Sequence, residues 1–359
     1  MHVSLDSALG RQRRLNSVGE SVLQIAPNAK AAYSLRSLTG GDPKVVRVRR
    51  VIDNAESDFT ASGVSSGALV DFVNQIQTVG TAVNGTGSFD NYTVSNLSTT
   101  GFSADNSAGG TGSAGFPYVF KDEDVIVVKY TVTNFSSTAS LSPQIRGVSA
   151  INSVTGKTNS GTAFTANGTY TDTLTATADG THLMYADGNT GSYTISDFEI
   201  VSHSSSGFVE TWYDQSGNSN DAVQETAGSQ PKIVNAGSLI ADGIDFDGSD
   251  DTLTAASVSG FGSTISMFEA SIRDGGGAAV LSMGSSASTA NTNFGIVEGS
   301  SVSQASVRNT TSRTVNASVS GSTRLGFAVT TGQTSTKIGA LGGTLVETTD
   351  DYGSDFTSG

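Results

Sequence analysis

Cysteine is missing from all 359 residues, which excludes a disulfide framework, a thiolate metal site and a cysteine nucleophile. Proline is scarce, at 5 residues, and charged residues make up only 14 %. A disordered chain would be richer in both. No run of about 18 apolar residues occurs, so no helical membrane span is expected. Residues 1–30 hold no apolar core of signal-peptide type, because Arg11, Arg13 and Arg14 interrupt the start. A P-loop with its lysine in context and an HExxH pair are both lacking. The three histidines, His2, His182 and His203, are scattered; His182 lies in an alternating segment and reads as structural.

What is plentiful is glycine, at 43 residues, with Ser, Thr and Asn, 16 Phe and 9 Tyr. Gly, Asn and Asp supply tight turns, while Thr, Val, Tyr and Phe supply strands. An all-β chain is therefore expected, long enough for two domains and for a sizeable core. Charge is unevenly placed. The first fifty residues carry nine Lys/Arg against three acidic residues, a net +6, and the other 309 carry ten against thirty, a net −20. A basic end on an acidic body suggests that one end docks and the other faces solvent. With no basic patch interleaved with aromatics, nucleic acid is not an expected partner.

Along the chain, Ala8, Leu9, Leu15, Val18, Val22, Leu23 and Ile25 recur at roughly helical spacing up to Pro27. Residues 1–30 are read as a short helical or extended arm, either anchoring the chain to a partner through Arg11, Arg13 and Arg14 or capping its own domain. From Ala31 the pattern turns to strands. In KVVRVRRV, Val46 and Val48 share one face and Arg47 and Arg49 the other. GALVDFV (67–73) reads as one or two helical turns. Residues 77–115 crowd with turn formers. Strands then return in DVIVVKYTVTNF (124–135), GTYTDTLTATADGTHLMYADG (168–188) and SYTISDFEIVSH (192–203). The first style resumes at Gly207. Residues 77–205 are thus expected as a jelly-roll domain inserted into a discontinuous sandwich, residues 31–76 and 206–359. Short strands every 10–15 residues fill its second half. The chain ends in polar, turn-like DDYGSDFTSG, after which a closing strand would be expected.

The blocks AAYSLRSL…VVRVRRVIDNAESDFT (31–60), GFVETWYDQSGNSNDAVQETAGSQPKIV (207–234) and GIDFDGSDDTL (243–253) resemble the catalytic domain of fungal α-L-arabinofuranosidase B. They are more similar still to the forms of that domain carried by phage tail fibre and other virion proteins. YDQSGN (213–218) is the most specific piece. The resemblance covers about 31–76 and 206–345 and implies a concanavalin A-like sandwich of two antiparallel sheets. Residues 116–203 resemble a carbohydrate-binding jelly roll. A retaining glycosidase needs two carboxyls about 5–5.5 Å apart. Where the family has its nucleophile, this chain reads SVSQASVRNTTS (301–312), without a carboxylate. Where the family's acid falls, it has Gly342 and Gly343, within KIGALGGTL (337–345). Glu298, Glu347 and Asp350 lie nearby in sequence. The resemblance therefore implies a virion appendage subunit, not an enzyme, assembled in a host cytoplasm. Its expected partners are other virion proteins through the arm, two further copies in a homotrimer, and a host surface glycan. A glycoside hydrolase and a purely architectural capsid or tail subunit are the alternatives.

Two segments are candidate sites. In WYDQSGNSND (212–221), Trp212 and Tyr213 offer stacking surfaces for a sugar, and Asp214, Gln215 and Asn218 offer hydrogen bonds. The same residues suit a tight turn, with Asp214 and Asn218 bonding their own backbone, Gly217 at positive φ and Trp212 in the core. In GIDFDGSDDTL, Asp245, Asp247, Asp250 and Asp251 can hold calcium or form a solvated turn; the spacing is not that of an EF-hand. KDEDV (121–125) poses the same choice. No cofactor other than calcium is implied.

Overall fold

A computed structural model describes residues 22–84, 93–106, 112–137, 143–146, 157–160, 164–187, 191–241, 243–256 and 258, and beyond these the strands named below. Arg11, Arg13, Arg14, Gly342, Gly343 and Asp350 lie outside the described residues. The chain is all-β, with three short α-helices and one 3-10 turn (Ala227–Ser229) among the described residues. No described helix is long and apolar enough to cross a membrane.

In chain order come α1 (Val22–Ile25), β1 (Lys44–Arg50), β2 (Glu56–Thr60), α2 (Ala61–Ser65) and α3 (Ala68–Val73). Ten strands follow: β3 (Val83–Asn84), β4 (Thr93–Ser95), β5 (Phe102–Asn106), β6 (Gly112–Phe120), β7 (Val125–Ser137), β8 (Pro143–Arg146), β9 (Lys157–Ser160), β10 (Gly168–Thr175), β11 (Gly180–Asp187) and β12 (Gly191–Ser204). Next are β13 (Gly207–Trp212), β14 (Ala222–Val223), β15 (Lys232–Asn235), β16 (Ser238–Leu239) and β17 (Thr254–Ala255). The last are β18 (Thr264–Ile272), β19 (Ala278–Met283), β20 (Phe294–Glu298), β21 (Val302–Arg308), β22 (Ser312–Ser318), β23 (Thr323–Thr331), β24 (Ser335–Ala340) and β25 (Val346–Thr348).

Two compact units are formed. One comprises residues 1–45, 211–229 and 246–359, the other 46–210 and 230–245. The second unit contains a β-sandwich of two five-stranded sheets, β10-β7-β12-β5-β4 and β3-β6-β11-β8-β9. Alternation decides which side chains go inside. Ile126, Val128, Tyr130 and Val132 on β7 are buried, and so are Phe116, Tyr118 and Phe120 on β6. The two inner faces meet in one aromatic-rich core. Phe116 of one sheet stacks on Phe198 of the other, with centroids 4.0 Å apart and planes 7° apart, worth about 0.5–1.5 kcal/mol beyond the buried area. Approach is close at Gly101, where any Cβ would lie 2.3 Å from the carbonyl oxygen of Ile195, so only glycine fits.

The same unit holds strands in the order β16-β15-β13-β1-β2. Thr60 caps α2, its hydroxyl accepting from Gly63 N at 3.1 Å. Leu69 and Val73 of α3 are buried, as the helical reading of GALVDFV predicts. The basic face expected on β1 is largely neutralised here. Arg47 pairs with Asp58 at 2.7 Å, and Arg50 grips both carboxylate oxygens of Asp53, at 2.7 and 2.6 Å. Arg49 is buried, against the expectation of an outward arginine face. It donates to Gln230 and Asn54 and lies over the Phe208 ring. Those bonds compensate for desolvation, which pulls its pKa down.

In the first unit, β14 pairs with Thr211 and Trp212 and with β17. Two antiparallel four-stranded sheets follow, β18-β23-β24-β25 and β19-β20-β21-β22. The carboxylate-free stretch Val302–Arg308 forms β21, held between β20 and β22.

Candidate functional site

The WYDQSGNSND loop turns sharply because Gly217 and Ser219 take φ of +87° and +58°. Asp214 organises the turn. Its Oδ1 accepts from Ser216 N at 2.8 Å, and its Oδ2 accepts from Ser216 Oγ at 2.7 Å and from Asn220 N at 3.0 Å. Asp221 closes the loop by accepting from Asp214 N at 2.8 Å.

The remaining capacity of these side chains is directed at residues 29–38, a stretch with no helix or strand of its own. Asp214 Oδ1 also accepts from Ala32 N, at 2.8 Å. Gln215 is 6 % exposed, and it uses its whole amide. Its Oε1 accepts from Leu38 N at 2.7 Å, and its Nε2 donates to the carbonyls of Ser34 and Arg36 at 2.9 and 3.0 Å. Asn218 Nδ2 donates to the carbonyls of Ala29 and Lys30, and Asn220 Nδ2 to Lys30. Tyr33 donates its hydroxyl to the Asn220 carbonyl, and its ring lies 5.5 Å from that of Trp212. Burial, reinforced by Asp214 and Asp221, pushes the Tyr33 phenol up to about 12. An irregular backbone cannot satisfy itself, and here side chains of the loop satisfy it.

The segment singled out in the sequence is here a clasp on residues 29–38. Asp214 bonds its own backbone, as the turn reading has it, whereas Asn218 reaches across to Ala29 and Lys30. Tyr33, Asn220 and Asp221 belong to the same clasp. Trp212 is half-buried, and its Nε1 is buried without a hydrogen-bond partner among the described residues. Replacing Gln215 with alanine removes the side-chain partner of three part-buried backbone groups. A loss of roughly 1–3 kcal/mol is expected, together with faster hydrogen exchange at the Leu38 amide. Unchanged exchange there would show that the clasp does not hold this stretch.

Among the aspartates, Asp247, Asp250 and Asp251 bring carboxylate oxygens within 4.8 Å of one another. Asp245 is not one of this group; its backbone is bridged to Lys232. Asp247 caps its own turn, accepting from Ser249 N at 2.8 Å, and that backbone bond first of all holds its carboxyl below the usual range. Asp250 accepts from Ser229 Oγ and Asp251 from Asp247 N. These three are the residues that could contribute oxygens to calcium, which takes 6–8.

The KDED turn conceals a constellation that sequence reading missed. Asp124 is 1 % exposed and His203 2 %. His203 Nε2 lies 2.8 Å from Asp124 Oδ2, and its Nδ1 lies 2.9 Å from Tyr118 Oη. Asp124 Oδ2 also accepts from Lys121 N at 2.7 Å. Tyr118 belongs to one sheet of the sandwich and His203 to the other, so the three side chains pin the sheets together. Lys121, Asp122 and Glu123 remain in solvent contact, Lys121 pairing with Asp179 and Glu123 with Lys232. His182 is half-buried, its Nδ1 2.8 Å from Thr181 Oγ1, and burial lowers its pKa. Comparison with protein-family models, with curated proteins and with solved structures finds no match to this chain.

Proposed function

We propose that this chain is a structural subunit of a virion appendage, a tail fibre, tail spike or head fibre, that presents β-sandwiches to glycans of a host surface and performs no chemistry itself. The observation that carries this reading is where the chain spends its strongest hydrogen-bonding residues. Asp214, Gln215 and Asn218 fasten residues 29–38, and His203, held by Asp124, fastens one sheet to the other through Tyr118. A display protein needs such internal fastening more than it needs free titratable groups. The outward face of β10 supports the same reading, since it exposes Thr169, Thr171, Thr173 and Thr175, an uncharged hydroxyl surface. Arg47, Arg49 and Arg50 have partners in the fold, so docking to other virion proteins falls to Arg11, Arg13 and Arg14. The concanavalin A-like relationship and the homotrimer belong to this proposal.

The test is immunogold electron microscopy of intact particles with antibody against residues 77–205. Label on head or tail projections is the expected result. Antigen free in the lysate with bare particles would overturn the proposal and bring the glycoside hydrolase forward. Sedimentation of the purified chain is expected to give a trimer; a monomer that persists at high concentration would remove the trimeric fibre.

A further inference from the structure

On the outward face of the β10-β7-β12-β5-β4 sheet, a depression of about 250 Å³ is lined by Thr93 and Ser95 of β4, Ser103 and Asp105 of β5, Thr194 of β12 and Asn134 of β7. It exists because every one of these side chains is short. Strand pairing sets them side by side: Thr93 faces Asp105, Ser95 faces Ser103, and Ser103 faces Thr194. Asn134 arrives by a different device. Between Thr133 and Ser136, β7 carries one residue more than β12 does between Thr194 and Ser192, so a bulge is present. Thr133 and Asn134 are consecutive exposed residues between buried Val132 and half-buried Phe135, and Asn134 sits at φ +54°. Bulges of this kind re-aim a side chain, and the left-handed backbone is a local cost that asparagine bears better than most residues.

The hydrogen bonding within the depression is directional. Ser103 Oγ and Thr194 Oγ1 lie 3.2 Å apart and share one proton. The amide of Asn96 donates to Ser103 at 3.2 Å, and that of Asn134 to Thr194 at 3.4 Å. Because both hydroxyl oxygens accept from amides and one donates to the other, one O–H remains to point outward. Around it stand the carboxylate of Asp105 and the hydroxyls of Thr93 and Ser95. Donors and acceptors alternating at this spacing match the vicinal hydroxyls of a sugar ring. The size corresponds to about eight water volumes, which suits one ring and is below the range of pockets for larger organic ligands. No lysine or arginine lines it, while a carboxylate does, and the chain as a whole is at −14. An acidic sugar is therefore disfavoured.

We infer that this face of the sandwich binds a single neutral sugar residue of a glycan through Asp105, Ser103, Thr194 and Asn134. The inference rests on the glycan-display reading above and names the surface that performs it. With one ring held by short polar side chains, the affinity of one site is of the order of 1 mM, and useful attachment then comes from several sites engaged together.

The test uses the full chain and saturation-transfer NMR with glucose, galactose, mannose and N-acetylglucosamine, with glucuronate as the acidic probe. At least one neutral sugar is expected to give signal at millimolar concentration, and glucuronate none. Thr194→Val and Asp105→Asn each keep strand geometry on an outward face, so both should stay folded with a cooperative thermal transition while the signal falls at least fivefold. Equal signal in parent and variants would overturn this site and leave glycan display standing elsewhere on the chain. No signal from any sugar in the parent would overturn both the site and the glycan half of the functional reading, and particle labelling would then decide the appendage half separately. Preference for glucuronate would overturn the assignment to neutral sugars.

Discussion

Truncating His203 to alanine is expected to remove about 2–4 kcal/mol of stability, because two buried polar side chains lose their partner, a large share of the 5–15 kcal/mol typical of a folded domain. The cost arises from what remains behind. Asp124 is 1 % exposed and would keep only the Lys121 amide on its Oδ2, leaving a buried carboxylate with no side-chain partner. Tyr118 would lose the acceptor or donor it shares with His203, and the vacated ring would leave a void between the sheets. Tyr118→Phe is the proper comparison, because it deletes one hydrogen bond, about 1 kcal/mol, and keeps the Asp124–His203 pair. Urea unfolding followed by circular dichroism should place H203A well below Y118F. Equal midpoints for the two variants would mean that the His203–Asp124 contact adds nothing to the cross-sheet bond from Tyr118.

Much of the fold was legible because strand period and side-chain size agreed. β7 and β10 follow from DVIVVKYTVTNF and GTYTDTLT, where strand alternation is strict, although the inward row of β10 includes buried Asp172 between Tyr170 and Leu174. Legibility failed where one of the two gave way. Residues 77–115 read as turn-rich, yet β3 to β5 and the start of β6 lie there. Apart from Phe102, their fully buried positions are small, Ala104 and Ala114, so the strands carry little apolar signal. In β12 the phase itself shifts. Strict alternation from Tyr193 and Ile195 would bury Val201 and expose Phe198, whereas Val201 is 50 % exposed and Phe198 is 3 % exposed. Bulges on either side of Glu199 and Ile200, with Asp197 at φ +52°, re-phase the strand.

The sites were less legible for a different reason, since their partners are remote in sequence. Gln215 and the carbonyl of Ser34 are 181 residues apart, and His203 and Asp124 are 79 apart. KDED looks like solvated charge, and three of its four residues are just that; nothing local marks Asp124 as the buried one. The sugar-sized depression has an even fainter signature. It is made of Ser, Thr, Asn and Asp, which the chain uses everywhere, and only strand register brings these particular ones together.

The buried tyrosines make a second large effect visible at alkaline pH. Burial first of all lifts the Tyr118 phenol from its ordinary 10.0 to about 12. Tyr130 is also raised, by burial and then by its 2.8 Å hydrogen bond to the buried carboxylate of Asp172. Both groups keep their protons in the folded state after the unfolded chain has begun to lose them. Below pH 10 the two states are protonated alike and the stabilisation is fully present. Between pH 10 and pH 12 the unfolded state binds fewer protons, so stability falls as pH rises. For Tyr118 alone the fall across that window is about 3 kcal/mol, and it needs little discount for solvent because the side chain is 2 % exposed. Tyr118→Phe separates this contribution from every other group that titrates there. The variant starts about 1 kcal/mol below the parent at pH 8 and lacks the tyrosine's share of the decline, so the two stability curves should cross near about pH 11. Urea midpoints at half-unit steps from pH 8 to pH 11.5 would resolve the crossing. Parallel curves would mean that the Tyr118 phenol titrates alike in the folded and unfolded chains, and the sheet-to-sheet contact around His203 would then have to be open to water.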